Sequence, residues 1–162
     1  MYLFKYKDLI RNIIIDYKFN DKSYLYKTLK KIIINNKKVC DFIKSYDIII
    51  PVPINQKRKM ERGYNQTLLI AQELVKDIPC IELNKNIIIK HKNIKTQSLL
   101  SKNQRRKNVV GAFKLKNEVN LENKKMLIFD DVFTTGSTVN ECAKILKQAG
   151  AINVGVLTIA KD

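Results

Sequence analysis

Residues 126–138, MLIFDDVFTTGST, decide the fold of this chain and indicate its chemistry. The four apolar residues Met126–Phe129 predict a buried strand that ends at Asp130 and Asp131. Two adjacent carboxylates repel each other, so a buried pair needs a partner. The vicinal hydroxyls of a ribose, or a hard cation such as Mg²⁺, would supply that partner.

The loop that follows this strand has the composition of a phosphate-binding loop. Small hydroxyl residues around a glycine let backbone N–H groups wrap an oxyanion, and the dipole of the next helix favours negative charge there. The acid pair and the loop together suit one sugar phosphate, with the acids at its ribose hydroxyls and the loop at its 5′-phosphate. The alternative is an ordinary strand–cap–helix junction, which the whole thirteen-residue pattern disfavours. The loop residues are Thr134, Thr135, Gly136, Ser137 and Thr138.

Strands and helices alternate around this stretch. Asp47–Val52 predicts a second buried strand, and Asn65 is a candidate cap for an amphipathic helix. The alternation predicts an α/β fold with a mostly parallel sheet flanked by helices, in which ligands bind beyond the carboxyl ends of the strands. We expect the polar stretch 55–63 to be a loop at that edge of the sheet.

The N-terminal part of the chain has a helical pattern. Residues 3–37 carry apolar positions spaced by three and four, which predicts a helical hairpin broken at residues 20–23, NDKS. We expect a helical segment of residues 1–40 to pack on a core of residues 41–162. The two parts together would form one compact unit, as the length of 162 residues suggests.

The charge of +16 raises the possibility of a nucleic-acid partner. Lysine is common along the whole chain, however, and the sequence contains no Trp, so a dedicated single-strand groove with aromatic stacking platforms is not favoured. The five arginines are more selective, because a guanidinium grips phosphate oxygens with two hydrogen bonds. Four of them fall in two short stretches: Arg58, Arg62, Arg105 and Arg106.

Other functional classes are not supported. No apolar run approaches the roughly 18 residues of a membrane span, and residues 1–12 lack the pattern of a secretion signal, so we expect a cytoplasmic protein. The three cysteines, Cys40, Cys80 and Cys142, are far apart, and one histidine cannot complete a structural zinc site with them.

The pattern of residues 126–138 resembles the phosphoribosyl pyrophosphate (PRPP) signature of type I phosphoribosyltransferases. The wider sequence resembles the ComF family of competence-associated proteins, including its GntX-like members. Four further segments carry this likeness: the strand that leads into Pro53, the motif RGYNQ at residues 62–66, RRKNVVGAF at residues 105–113 after Gln97, and Gly150-Ala151 with the strand that follows. Many members also have an N-terminal ribbon of four cysteines that binds zinc, and residues 1–162 contain no counterpart of it.

The resemblance implies a role for each part of the site. Asp130 and Asp131 would hold the ribose hydroxyls with Mg²⁺ nearby, bound directly or indirectly, and residues 134–138 would bind the 5′-phosphate. Pro53 would begin the pyrophosphate loop, with Arg58 and Arg62 as candidate partners. Residues 91–108 would form the hood of such enzymes. The catalytic set implied in this way is Asp130, Asp131 and Arg105.

Two main functions are therefore open, and a regulator that only senses a nucleotide is a third, less favoured alternative. The first is a Mg²⁺-dependent phosphoribosyltransferase of unknown acceptor, linked to the handling of incoming single-stranded DNA in natural transformation. A threonine stands at residue 134, where the 6-oxopurine enzymes commonly have an aspartate, which makes purine salvage an unfavoured reaction. The second is a non-catalytic module with the same fold that binds DNA or partner proteins, such as other competence proteins.

Overall fold

The computed structural model describes residues 1–20, 22–91 and 109–162. These residues form six helices and seven strands. The strands are β1 (Tyr2–Lys5), β2 (Ile48–Pro51), β3 (Glu82–Leu83), β4 (Ile88–Lys90), β5 (Phe113–Leu115), β6 (Lys125–Phe133) and β7 (Asn153–Lys161). The helices are α1 (Asp8–Phe19), α2 (Leu25–Ile34), α3 (Lys37–Lys44), α4 (Gln56–Arg62), α5 (Gln66–Asp77) and α6 (Ser137–Gln148).

A five-stranded sheet in the order β1-β7-β6-β2-β3 forms the centre of the molecule, and all its neighbouring strands are parallel. The two apolar runs seen in the sequence are its central strands: Ile48 is paired with Met126, and Ile50 with Ile128. Both runs are buried, as expected for strands covered by helices on both faces. The predicted α/β fold is confirmed.

The two faces of the sheet bury separate cores. Ile49, Leu127 and Phe129 point to one face, where they pack with helices α1, α2, α3 and α5. Met126 and Ile128 point to the other face, where they pack with α6 and with the β4–β5 ribbon. The period of two along each strand therefore divides its apolar residues between the two cores.

The sheet has a topological switch point between β2 and β6. The chain leaves β2 through α5, on the first face, to reach β3, whereas it leaves β6 through α6, on the second face, to reach β7. The two connections diverge, so a crevice opens beyond the carboxyl ends of these strands. β6 is also longer: Pro51 is paired with Phe129, and residues 130–133 continue past the end of β2.

Two features of the N-terminal part differ from the sequence-based expectation. Helices α1 and α2 are the two members of the predicted hairpin, but residues 2–5 form an edge strand parallel to β7, where a helix was expected from residue 3. The strand is only four residues long, too short for its alternation to outweigh the helical spacing that follows. Helix α3 then extends helical structure past residue 37. The division into segments at residue 40 stays a prediction.

The prediction of a polar loop at residues 55–63 is wrong, because residues 56–62 form helix α4. None of the α4 residues is buried, so the helix has no apolar stripe that a periodicity argument could detect. Its ends are nevertheless well marked. The Asn55 side chain accepts a hydrogen bond from the N–H of Arg58 at 2.8 Å, and Gly63 ends the helix with a φ of 74°.

Strands β4 and β5 form a separate antiparallel ribbon, in which Lys90 is paired with Phe113. The expectations for Gln97, Arg105, Arg106 and the hood fall in the stretch 92–108, outside the described residues. Within the ranges that the structure describes, no helix is both long and apolar enough to cross a bilayer.

Candidate functional site

A cavity of about 300 Å³ opens at the switch point, beyond the carboxyl ends of β2 and β6. All the sequence-predicted site residues that lie within the described ranges line it, and they come from two segments far apart in the sequence. From the β2 side come Pro53, Arg58 and Arg62, and from the β6 side come Asp130, Asp131, Thr134, Thr135, Gly136, Ser137 and Thr138.

The two adjacent aspartates point in opposite directions. β6 continues through both, so Asp131 lies on the same face as Phe129, and Asp130 on the face of Ile128. The Asp131 carboxylate accepts a hydrogen bond from Lys18 Nζ at 2.7 Å, and only 14% of the Asp131 side chain is exposed. We expected the pair to share one partner. Instead, Asp131 has a partner within the protein, and Asp130 lacks a cation at contact distance among the described residues.

The ionised form of the Asp130 carboxyl is unfavourable in the folded protein. Its burial, and then the negative charge of Asp131, raise the pKa of the Asp130 carboxyl to about 7. Lys18 and Lys90 oppose this rise, as does the N–H of Asp131, which donates to Asp130 Oδ1 at 2.9 Å. A ligand that donates hydrogen bonds to the ionised carboxylate, or a cation, would relieve the cost of this charge.

The loop between β6 and α6 is shaped by a glycine. Gly136 has a φ of 73°, and a Cβ atom at this position would lie 2.6 Å from the ring of Phe133. The loop is tightened further by a hydrogen bond of 2.7 Å between the Thr135 and Ser137 hydroxyls. Since α6 begins at Ser137, the first backbone N–H groups of the helix lie at the cavity wall. This arrangement suits an anion.

The opposite wall is held in place by two asparagines. Asn65 caps α5 by accepting from the N–H of Thr67 at 3.1 Å, and its amide donates to the Val52 carbonyl at 3.1 Å. Residue 65 thereby ties the end of β2 to the start of the helix. Asn55 caps α4 in a similar way, which places Arg58 and Arg62 one helical turn apart at the cavity.

The arginines on this wall experience repulsion. Burial of Arg62, followed by the positive charge of Arg58, lowers the pKa of the Arg62 guanidinium. Arg62 also stacks on the ring of Phe19, with its guanidinium carbon 4.7 Å from the ring centroid. Phe19 is 62% exposed, so this contact lies at the rim of the cavity.

Several cavity residues had no signal in the sequence. Tyr6, Lys18 and Phe19 come from the N-terminal part of the chain, and Lys90 comes from β4. Lysine is common throughout the chain, so nothing in the local pattern marks residues 18 and 90. Gln66 also lines the cavity. It belongs to the RGYNQ motif, which could have indicated it, although no role was assigned to it.

The donor set fits Mg²⁺ only as an ion shared with a ligand. The described residues contain no cluster of three or more His, Cys, Asp or Glu side chains that could hold a metal. Asp131 is engaged with Lys18, whereas Asp130 and Asp162, which also line the cavity, have no cation within 4.0 Å among the described residues. Mg²⁺ commonly binds through one or two carboxylates together with water and substrate phosphates, so a single carboxylate is sufficient for this kind of site.

Comparison with known proteins agrees with this geometry. Residues 66–162 match the model of the phosphoribosyl transferase domain. The chain is 35% identical over 151 residues to competence protein F of Haemophilus influenzae, covering 90% of this chain and 65% of that protein. It is 39% identical over 115 residues to the DNA utilization protein YhgH of Escherichia coli O157:H7, covering 71% of this chain and 49% of that protein. The chain thus spans about half to two thirds of the length of these relatives.

The fold has a counterpart among solved structures. The purine phosphoribosyltransferase of Pyrococcus horikoshii Ot3 superposes with a TM-score of 0.53, over 87% of this chain and 85% of that one. The sequence identity is 15%, so this likeness concerns the fold alone. Taken with the matching domain model and the relatives above, it shows that the chain belongs to the phosphoribosyl transferase domain family, as a ComF-like member.

Proposed function

We propose that this protein binds PRPP in the cavity at the switch point. The observation that carries the proposal is that one cavity is lined by a carboxyl that is costly to ionise, Asp130, and by two walls suited to anions. One wall is the N-terminus of α6 with its glycine-shaped loop, and the other bears Arg58 and Arg62. PRPP carries hydroxyls, a 5′-phosphate and a pyrophosphate, and the cavity offers a group suited to each of them.

Each wall would have a separate task. The backbone N–H groups of residues 134–138 would bind the 5′-phosphate, and Asp130 would accept hydrogen bonds from the ribose hydroxyls. Asp131 would be held in place by Lys18. Arg58 and Arg62 would bind the pyrophosphate. Asp130, together with oxygens of the ligand, would hold Mg²⁺, and the ion would supply positive charge against the anionic groups.

The reaction supported by this arrangement is the displacement of pyrophosphate. A nucleophile would form a bond to C1′ of the ribose while the bond from C1′ to the pyrophosphate oxygen breaks, and the electron pair would leave with the pyrophosphate. The arginines would stabilise the charge that develops on the leaving group. Arg105, proposed from the sequence to assist at this step, remains a proposal that rests on the resemblance alone.

A second candidate function is DNA binding by a module that does not turn over PRPP. The observation that favours it is helix α4, whose sequence QKRKMER carries four cations and has no buried residue. The exposed ring of Phe19 lies beside this helix, in contact with Arg62. Cations beside an exposed aromatic ring suit single-stranded nucleic acid. The names of the relatives, competence protein F and DNA utilization protein, agree with a role in DNA handling.

Calorimetry with PRPP and Mg²⁺ tests the first candidate. The wild type should bind, and the double variant Asp130→Asn/Asp131→Asn should not, while its circular dichroism remains native. Asp41→Asn is the matched control, because Asp41 is an exposed carboxylate on α3. Unchanged PRPP affinity in the folded double variant would reject the site. Pyrophosphate release measured across a panel of acceptors would then separate an enzyme from a PRPP-binding module.

Salt dependence tests the second candidate. Lysines and arginines that bind DNA through its phosphates release counterions and do not contact the bases. We therefore expect no sequence preference and a loss of at least about tenfold in affinity between low and physiological salt. Fluorescence anisotropy with single-stranded oligonucleotides at several salt concentrations measures this. Affinity that barely changes with salt, or clear sequence preference, would argue against a surface that binds DNA through its phosphates.

A further inference from the structure

We infer that Lys90 is a third cation of the pyrophosphate subsite. Its charge would make the cavity prefer a sugar phosphate that also carries a diphosphate over one that carries only the 5′-phosphate. This inference rests on the proposed function. It adds a residue from β4 to the two arginines of α4. The group recognised would be the diphosphate of the ligand.

The position of Lys90 is set by the antiparallel ribbon. Lys90 is the last residue of β4, paired with Phe113 of β5, and its Nζ atom lies 5.3 Å from the centroid of the Phe113 ring. Phe113 is itself buried in the core beneath the second face of the sheet. This cation–π contact holds the ammonium group beside the ring, and Lys90 is among the residues that line the cavity.

The ammonium group of Lys90 has no acidic partner at contact distance. Within residues 1–20, 22–91 and 109–162, no carboxylate lies within 4.0 Å of Lys90, Arg58 or Arg62, whereas Lys18 in the same cavity contacts Asp131. Burial, followed by the charge of Arg58, lowers the pKa of Lys90 to about 8. Partly buried cations that repel each other are stabilised when an anion binds among them.

The three cations Lys90, Arg58 and Arg62 suit a diphosphate better than a single phosphate group. Under the proposed function, the N-terminus of α6 and its loop would bind the 5′-phosphate without any of these side chains. Three cations are more than one phosphate group requires. A pyrophosphate offers oxygens on two phosphorus atoms and a higher negative charge, so it can contact cations that come from two different elements of the fold.

A competing explanation is that Lys90 serves only as a distant counterion of Asp130, because its charge lowers the pKa of that carboxyl. The two roles differ in what they predict. A counterion of the ribose-binding carboxylate would affect every ligand that has the ribose hydroxyls. A pyrophosphate contact would affect only ligands that have the pyrophosphate.

The experiment compares three ligands, PRPP, ribose 5-phosphate and inorganic pyrophosphate, by calorimetry with the wild type, Lys90→Met and Lys90→Arg. We expect Lys90→Met to weaken PRPP and pyrophosphate binding about tenfold, the effect of one charge-assisted hydrogen bond, with ribose 5-phosphate changed less than about threefold. Lys90→Arg should retain binding. The control is Lys114→Met, on the neighbouring strand of the same ribbon, where the side chain is exposed.

Each outcome decides a separate question. Equal losses for PRPP and ribose 5-phosphate in Lys90→Met would overturn the inference in favour of the counterion role. No loss in a natively folded Lys90→Met would also overturn it, and PRPP binding by the wild type would still support the proposed function. If the wild type binds inorganic pyrophosphate through Lys90 but binds neither PRPP nor ribose 5-phosphate, the pyrophosphate subsite is supported and the proposed function fails. If the wild type binds none of the three ligands, both fail.

Discussion

Replacement of Asp130 by asparagine should make the protein more stable and at the same time abolish its binding of PRPP. Asparagine preserves the size of the side chain and removes the charge. In the folded protein, burial and the neighbouring Asp131 raise the pKa of the Asp130 carboxyl from 3.8 to about 7. The folded state therefore binds a proton between these two pH values that the unfolded chain has already released, and the free energy of unfolding falls as pH rises through this window.

The size of the effect follows from the pKa difference. About three pKa units correspond to an upper limit of roughly 4 kcal/mol at pH above 7, since each unit is about 1.4 kcal/mol. Relaxation around a group at a cavity wall reduces this, so we expect a gain of about 1–3 kcal/mol for Asp130→Asn at about pH 8. For a chain of this length, such a gain raises the Tm by roughly 2–10 °C. Near pH 4 the wild type is protonated at this position, and the gain should largely disappear.

Urea unfolding in a metal-free buffer, at about pH 5 and about pH 8, measures the difference. Asp41→Asn is again the control, because it removes an exposed carboxylate and should show no comparable pH-dependent gain. A gain for Asp130→Asn that is the same at both pH values would refute the electrostatic reasoning. A loss of stability at pH 8 would refute it as well.

Three further substitutions test other parts of the site. Gly136→Ala should cost about 1–3 kcal/mol of unfolding free energy and weaken PRPP binding, since alanine must adopt a φ of 73° and clash with a ring; unchanged urea unfolding would contradict this. Lys18→Met should destabilise by roughly 2 kcal/mol, and adding Asp131→Asn should recover most of the loss in a double-mutant cycle. Arg62→Lys should weaken PRPP binding by about 1–2 kcal/mol in calorimetry, whereas Arg11→Lys, at an exposed position of α1, should have no effect.

The central part of the fold could be predicted from the sequence because its signals are local. The runs Ile48–Ile50 and Met126–Phe129 are apolar at every position, as buried parallel strands require, and Asn65 is an N-cap that precedes an amphipathic helix. The loop at residues 134–138 could be recognised for the same reason, since a glycine among hydroxyl residues is a local pattern.

The features that sequence reasoning missed depend on distant parts of the chain. β1 exists because β7 is present to pair with it. Lys18 reaches Asp131 across 113 positions of the sequence. No pattern within a window of neighbouring residues contains this information, so a lysine that contacts the site looks like any other lysine.

The opposite orientations of Asp130 and Asp131 were, in contrast, available from the sequence. The apolar residues Val132 and Phe133 continue the strand beyond the acids, and side chains alternate along a strand, so one carboxylate had to face each side of the sheet. The two acids consequently have different energetic roles. Asp131 is stabilised within the protein by Lys18, whereas Asp130 keeps an unfavourable charge in the cavity. A protein retains an unfavourable buried charge where a ligand or ion offsets it, and this supports Asp130 as the ligand-binding member of the pair.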